Sequence, residues 1–451
     1  MKIQSYVWFM VLVLSFSGVW GCDDGGADED TDSSIDTGVP DDSDTGDTDT
    51  GTDTEVESEI PPQLPSLCSA SVSAAFLSGG GDGRMPTISA VSESDALVAY
   101  AYDPQEDGST SRIQLATYDD DAAEYVSYTL FEDSIVSSEP RMTNNGTGYA
   151  LVWLEGRTEW DAGCLTGASD DCRVDVALTT IDSGVSNESV PVRVSQEGVA
   201  QGRPAVVPVS TGWLAIWGES NQGDVSVVAA HVSAAGTVGA VQDISGDNFA
   251  DEVPRISAAV VDDTVLVLWR GSSQRTLYYR MLNITGQSLG ETQILFDGET
   301  AYQPVAAADT VGFMVAYGRW TQNDGEIFTR RIDVQGTFVG TENRITWTNT
   351  VTRYASLAFV PGKGFAIGWL SDTANGSSSC VDSVCAAKVF GSVLNDDGSL
   401  AAEPIMLSDG ADDLNPCKEL TIGTNGTDWL VTYELRRNLR QQLAYSVFSC
   451  Q

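Results

Sequence analysis

A short pattern written seven times constrains this chain more than any other feature. A proline or small residue opens an apolar run, a polar turn with Gly or Asp follows, and three or four apolar residues end in Trp or Tyr. The copies read PTISAVSESDALVAY to Tyr100, PRMTNNGTGYALVW to Trp153, PAVVPVSTGWLAIW to Trp217 and PRISAAVVDDTVLVLW to Trp269. They continue with PVAAADTVGFMVAY to Tyr317, ASLAFVPGKGFAIGW to Trp369 and LTIGTNGTDWLVTY to Tyr433. The anchors lie 48 to 64 residues apart, the spacing of one supersecondary unit repeated rather than of several unrelated domains.

Each unit then carries two further alternating stretches around a glycine turn, near Gly286 in the fourth and at Val334-Gln335-Gly336 in the fifth. Period-two alternation bounded by Gly, Asp and Asn marks antiparallel strands, and the body of the chain shows no helical period. Four strands in each of seven units predict an all-β, seven-bladed propeller of four-stranded blades. A six-bladed ring with one irregular unit is the main alternative. A solenoid fits less well, because its two ends would not share a blade.

The seventh unit stops after its third strand, Gln442 to Phe448, while Ser71 to Leu77 precedes the first inner strand. The N-terminal stretch is therefore expected to complete the last blade. That arrangement would bring Cys68 beside Cys450 and predicts a disulfide pinning the closure. Cys164 and Cys172, and Cys380 and Cys385, each bracket a loop after the second strand of an enlarged unit and are expected to pair. Cys417 is left over, or exchanges roles with Cys380 or Cys385. Disulfides suit an oxidising compartment, and a C-x4-C spacing without a second pair does not point to zinc. The N-x-S/T sequences at Asn145, Asn187, Asn283, Asn375 and Asn425 read as turn chemistry.

The first residues predict export. Lys2 precedes an apolar run from Tyr6 to Phe16, which has the length of a signal-peptide core rather than of a span. Val19-Trp20-Gly21-Cys22 resembles the lipobox of bacterial lipoproteins, with an aliphatic residue at −3, a small one at −1, and a cysteine that receives lipid; Trp20 departs from that pattern. From Asp23 to Glu59 there are sixteen acids and no Lys or Arg, with little but Thr, Ser and Gly between them. Such a segment cannot bury enough apolar surface to order itself and reads as an extended tether. The expected layout is a signal peptide at 1–21, lipidated Cys22 and an acidic linker over 22–66, and the propeller over 67–451. A monomer on the envelope, held to the membrane by its N-terminal lipid, follows from this layout. The outer membrane or cell surface is favoured over the inner membrane. The net charge of −42 argues against nucleic acid, whose phosphates are bound by Lys and Arg.

Residues able to do chemistry are few. His231 is the only histidine and lies mid-strand, which disfavours His-dependent triads and His metal sites. No phosphate loop is present, and no cofactor or metal is expected. The acidic runs Asp119-Asp120-Asp121 and Asp396-Asp397-Gly398 fall at hairpin turns, where Asp and Gly serve the backbone. Sialidases share the propeller fold and carry a repeated S-x-D-x-G-x-x-W turn, which this chain lacks. One constellation recurs: Arg84, Arg141, Arg203, Arg255 and Arg353 at the start of inner strands, and Asp103, Glu155, Glu219, Asp372 and Glu434 just past the anchors. Both sets are expected at one mouth of the central channel. They would form either a structural ring of ion pairs between adjacent blades or a polar mouth gripping an anionic or glycan ligand.

The repeat as a whole resembles the Pro…Gly…Leu-Val-Val-Trp propeller repeat of exported lipoproteins from myxobacteria and their relatives. The resemblance covers most of residues 68 to 451 and implies a fold and a location, not an activity. The expected function is a non-enzymatic binding module for an envelope protein or glycan, presented by loops 154–173 and 370–387. The alternatives are a glycoside hydrolase or polysaccharide lyase using Asp/Glu and Arg at the channel mouth, and a structural protein without a ligand.

Overall fold

The computed structural model describes most of residues 63–450; residues 1–62, the loops 157–173 and 373–386 and a number of shorter connections lie outside the described residues. All regular structure among the described residues is strand, arranged as seven four-stranded antiparallel sheets. Six blades take their strands in chain order. Blade 1 runs from Asp82–Ala90 to Glu124–Thr129, blade 2 from Ser137–Asn144 to Val192–Arg193, and blade 3 from Val199–Val209 to Gln242–Asp243. Blade 4 spans Ser257–Val261 to Gln293–Asp297, blade 5 Ala301–Ala308 to Phe338–Arg344, and blade 6 Thr352–Val360 to Ile405–Met406.

Blade 7 is built from both ends of the chain. Asn415–Thr424, Trp429–Arg437 and Arg440–Cys450 are joined by Cys68–Phe76 as the outermost strand. Cys68 faces Cys450 in the register of that last pair, and the two form a disulfide. The inner strand of blade 7 contacts the inner strand of blade 1, so the ring closes with seven blades rather than six.

The core is not one mass but seven layers. Each apolar cluster joins two neighbouring blades, from the pair 1 and 2 around to the pair 7 and 1. The seven aromatic anchors Tyr100, Trp153, Trp217, Trp269, Tyr317, Trp369 and Tyr433 are all buried. Truncating such a side chain to alanine costs about 3–5 kcal/mol. With most apolar surface buried between blades, the inner strands are where charged groups also reach the axis.

A second repeat lies immediately after the outer strands. In blades 2, 3, 5 and 6 a buried apolar residue is followed by a buried hydroxyl: Val194-Ser195, Ile244-Ser245, Ile345-Thr346 and Leu407-Ser408. The hydroxyls accept from the backbone N–H of Val176, Val227, Ile327 and Val389 at 2.9–3.1 Å. Three of these outer strands are only two residues long, so this plug rather than a ladder seats the edge. In two blades the hydroxyl also meets a buried acid and an arginine. Asp175, Ser195 and Arg193 form that set in blade 2, and Glu326, Thr346 and Arg344 form it in blade 5.

Turns behave as their sequences predict. The Asn145 and Asn283 side-chain oxygens accept from the backbone and hydroxyl of Thr147 and Thr285, two residues on. Asp397 accepts from the Ser399 N–H and hydroxyl in the same way, and these hydrogen bonds hold its carboxyl below the usual range. Gly286, Gly336 and Gly398 occupy the left-handed region at these hairpins, and the Gly336 and Gly398 carbonyls accept from Tyr279 and Thr329 of the preceding blade.

Ahead of the first strand, Leu64 packs against the layer between blades 5 and 6. The Pro65 carbonyl accepts from the Glu403 N–H at 2.9 Å. The chain therefore joins the propeller at blade 6, a few residues earlier than the boundary expected from composition.

Candidate functional site

The axis is shaped by a bulge repeated in most blades. Between the first and second strands the register slips at Arg84/Thr87, Ser138/Arg141, Gln201/Ala205, Tyr302/Val305, Arg353/Ser356 and Pro416/Leu420. In each bulge one residue lies in the left-handed region: Met85, Glu139, Gly202, Gln303, Tyr354 and Glu419, with φ between 50° and 72°. Five of the six are not glycine, a conformation that costs energy and that the surrounding sheet must enforce. A bulge re-aims side chains, and here it turns them toward the axis. At Gly202 no Cβ would fit, because it would collide with the Pro254 backbone.

The inner strands of blades 2 to 7 enclose a cavity of about 200 Å³ on the axis. Its charged lining is Arg141, Arg203, Arg255 and Glu419. Glu419 of blade 7 reaches across the channel and takes a bidentate pair of hydrogen bonds from Arg203 of blade 3. Arg255 of blade 4 approaches the same carboxylate at 3.3 Å and Arg141 of blade 2 at 3.8 Å. Glu139 completes the group, accepting from Arg203 Nε at 2.6 Å and lying 3.8 Å from Arg141.

Burial is the strongest single influence on Glu419 and opposes its ionisation. Arg203, Arg255 and Arg141 together override it and hold the carboxyl well below the usual carboxylate range. Burial also lowers Arg203, yet its pairs with Glu139 and Glu419 raise it above an ordinary arginine. Arg141 moves the other way. Burial and the Arg203 charge lower it to about 9, and Glu139 and Glu419 only partly compensate.

The expected constellation is assembled only in part. Arg141, Arg203 and Arg255 of the adjacent blades 2, 3 and 4 come together, with one ion pair between neighbouring blades, Arg203 to Glu139, and the rest reaching across the channel to Glu419. Arg84 and Arg353 sit one residue before their bulges, paired in the ladder with Ala101 and Leu370. Arg353 lies instead 5.7 Å from the Tyr354 ring centroid.

Among the described residues, none of Asp103, Glu155, Glu219 and Glu434 is an ion-pair partner of the three clustered arginines. Glu219 accepts from the Trp217 indole at 3.3 Å, Glu434 accepts from the Met85 N–H of blade 1, and Asp103 is buried. Glu155 is half-buried on the second strand of blade 2. These acids stand on the second strand, beyond the bulge that aims side chains inward. The side chains of Arg84 and Asp372, and Cys22, Cys164, Cys172, Cys380 and Cys385, lie outside the described residues. Glu139 and Glu419 were the acids missed. Glu139 stands before a proline in the second repeat, whereas nothing local marks Glu419.

No family model matches the chain, and no curated protein matches it. Solved structures are similar in fold at low identity. A Dyadobacter fermentans protein of unknown function aligns at a TM-score of 0.48 and 10% identity, over 85% of this chain and 99% of that one. The NanB sialidase of Streptococcus pneumoniae aligns at 0.47 and 9%, over 75% and 71%. Trypanosoma rangeli sialidase in complex with sialic acid aligns at 0.42 and 10%, over 86% and 59%. At such identities the likeness concerns the course of the chain and carries no activity with it.

Proposed function

We propose that this chain is a lipid-anchored envelope protein that acts as a binding module without catalysis, using the axial cavity of its propeller as the recognition site. The N-terminal residues support the anchor: an apolar run, Cys22 in a lipobox-like setting and an acidic tether that would hold the propeller clear of the membrane. The observation that carries the binding reading is the cross-axis cluster. It is rigid, since its ion pairs join blades 2, 3, 4 and 7, and a rigid polar cavity loses little entropy when it takes a ligand.

Glycosidic cleavage needs a carboxylic acid with a raised pKa beside a second carboxylate. The one carboxylate lining the cavity is Glu419, which three arginines hold ionised. That supports binding over hydrolysis.

Two experiments test the reading. Growth with labelled palmitate should mark the wild-type chain and leave Cys22→Ser unmarked; a labelled Cys22→Ser protein overturns the anchor. The purified full chain incubated with envelope polysaccharides should retain one of them unchanged. Release of shortened oligosaccharides would overturn the non-catalytic reading.

A further inference from the structure

We infer that the axial cavity takes a single carboxylate, carried on a sugar-sized or amino-acid-sized group, bound beside Glu419 against Arg141 and Arg255. This assignment rests on the binding reading above and names the ligand class.

The reason is a charge count. Arg141, Arg203 and Arg255 bring three positive charges, while Glu139 and Glu419 bring two negative ones. Among the described side chains of the cluster one cation is therefore uncompensated. This happens in a chain with 65 acids and 23 bases, where acid is in surplus overall. A partly buried guanidinium whose charge is only partly met is costly, and an incoming anion would meet the remainder.

The geometry says which arginines are available. Arg203 is saturated, with both terminal nitrogens on Glu419 and Nε on Glu139. Arg141 stands 3.8 Å from both carboxylates, beyond hydrogen-bond distance, and donates only to the neighbouring Pro140 carbonyl at 2.6 Å. Arg255 touches Glu419 through one nitrogen at 3.3 Å and is the most exposed of the three at 31%. Two guanidinium groups with donors to spare, facing one cavity, suit a carboxylate.

One excess charge also selects the valence. A carboxylate brings the cluster to neutrality, whereas a phosphate dianion would leave a buried negative surplus. The cavity, about 200 Å³, is smaller than the about 300–1,000 Å³ of sites for drug-sized ligands, so it admits one small group rather than a chain.

Isothermal titration of the purified full chain with glucuronate, glucose and inorganic phosphate tests this at neutral pH. Glucuronate should bind about tenfold or more tightly than glucose, the ratio one charge-assisted contact supplies, and more tightly than phosphate. Arg255→Gln makes the cluster neutral and should cost glucuronate about tenfold, with glucose unchanged and Arg255→Lys restoring part of the loss. Glu419→Gln adds a second excess charge and should turn the preference toward phosphate. Equal affinity for glucuronate and glucose would overturn the carboxylate assignment while leaving the binding module standing. Undetectable glucuronate binding, or binding untouched by Arg255→Gln in a protein that melts as the wild type does, would overturn it as well. Polysaccharide retention with no glucuronate binding separates failure of this inference from failure of the module.

Discussion

Glu419 at the axis and Glu326 in blade 5 are both buried carboxylates facing arginine, yet their acidities move in opposite directions. Glu326 is fully buried, and burial, the largest influence on it, keeps its pKa above the ordinary value despite hydrogen bonds from Thr346, the Thr348 N–H and Arg344. Its one arginine is a third exposed, so water weakens the pull. Glu419 meets the same penalty but faces three arginines, one of them bidentate, and its pKa falls. The outer cluster uses a charge where a hydroxyl network would nearly suffice. The axial cluster gathers more cation than it needs, and excess of that kind has a use only if something else arrives.

The sharpest way to break this contrast is to remove one arginine from each cluster. Arg203→Ala leaves two carboxylates facing a cavity without their main partner and should cost about 3–5 kcal/mol in urea unfolding. Arg344→Ala should cost about 1–2 kcal/mol, because Glu326 can take up a proton and keep Thr346 and Thr348. Equal losses would mean that the two sites are energetically alike.

The closure disulfide discriminates by position. Cys68→Ser should lose about 2–4 kcal/mol, and hydrogen exchange should rise in Asn415–Thr424, the strand carrying Glu419, well before it rises in Asp324–Asp333, the strand carrying Glu326. Uniform exchange across both strands would show that the ring opens as one unit.

Smaller still, Glu326→Gln should change stability at neutral pH by less than about 1 kcal/mol, since burial already disfavours the charge it removes. The pH dependence gives the finest test. The folded pKa of Glu419 lies below the unfolded value of 4.5, so its contribution is present above that pH and disappears as pH falls through its folded value. The folded pKa of Glu326 lies above 4.5, so its contribution is full below that pH and is lost as pH rises through the folded value. Denaturation midpoints of Glu419→Gln against pH should therefore be flatter on the acid side than wild type. Those of Glu326→Gln should lose less on rising toward neutrality. Parallel curves for both variants would remove the difference.

The sites differ in how far they could be read in advance. The outer plug is legible in the sequence, because Val194-Ser195, Ile244-Ser245, Ile345-Thr346 and Leu407-Ser408 each precede the next blade's anchor at a similar distance, though the pair is a weaker signal than the aromatic anchors. The three axial arginines, Arg141, Arg203 and Arg255, are legible because they too keep the phase of the repeat. Their partners are not: acids recur past the anchors, whereas Glu139 and Glu419 sit in the bulges and recur only twice.

By itself the sequence determined the seven repeated units, the aromatic anchors, and the pairing of the two chain ends in one blade with its disulfide; the closed ring settled seven blades against six. Each follows from a local pattern or from the two ends of one repeat, and strand alternation is fixed by backbone geometry. Only the tertiary structure decided the axial cluster. Residues before proline ordinarily stay extended, yet Glu139 before Pro140 is left-handed because the bulge opposite Trp153 forces it. Glu419 and Arg203 lie 216 residues apart and on opposite sides of the ring, so they meet only when the ring closes. An ion pair across an axis has no sequence spacing.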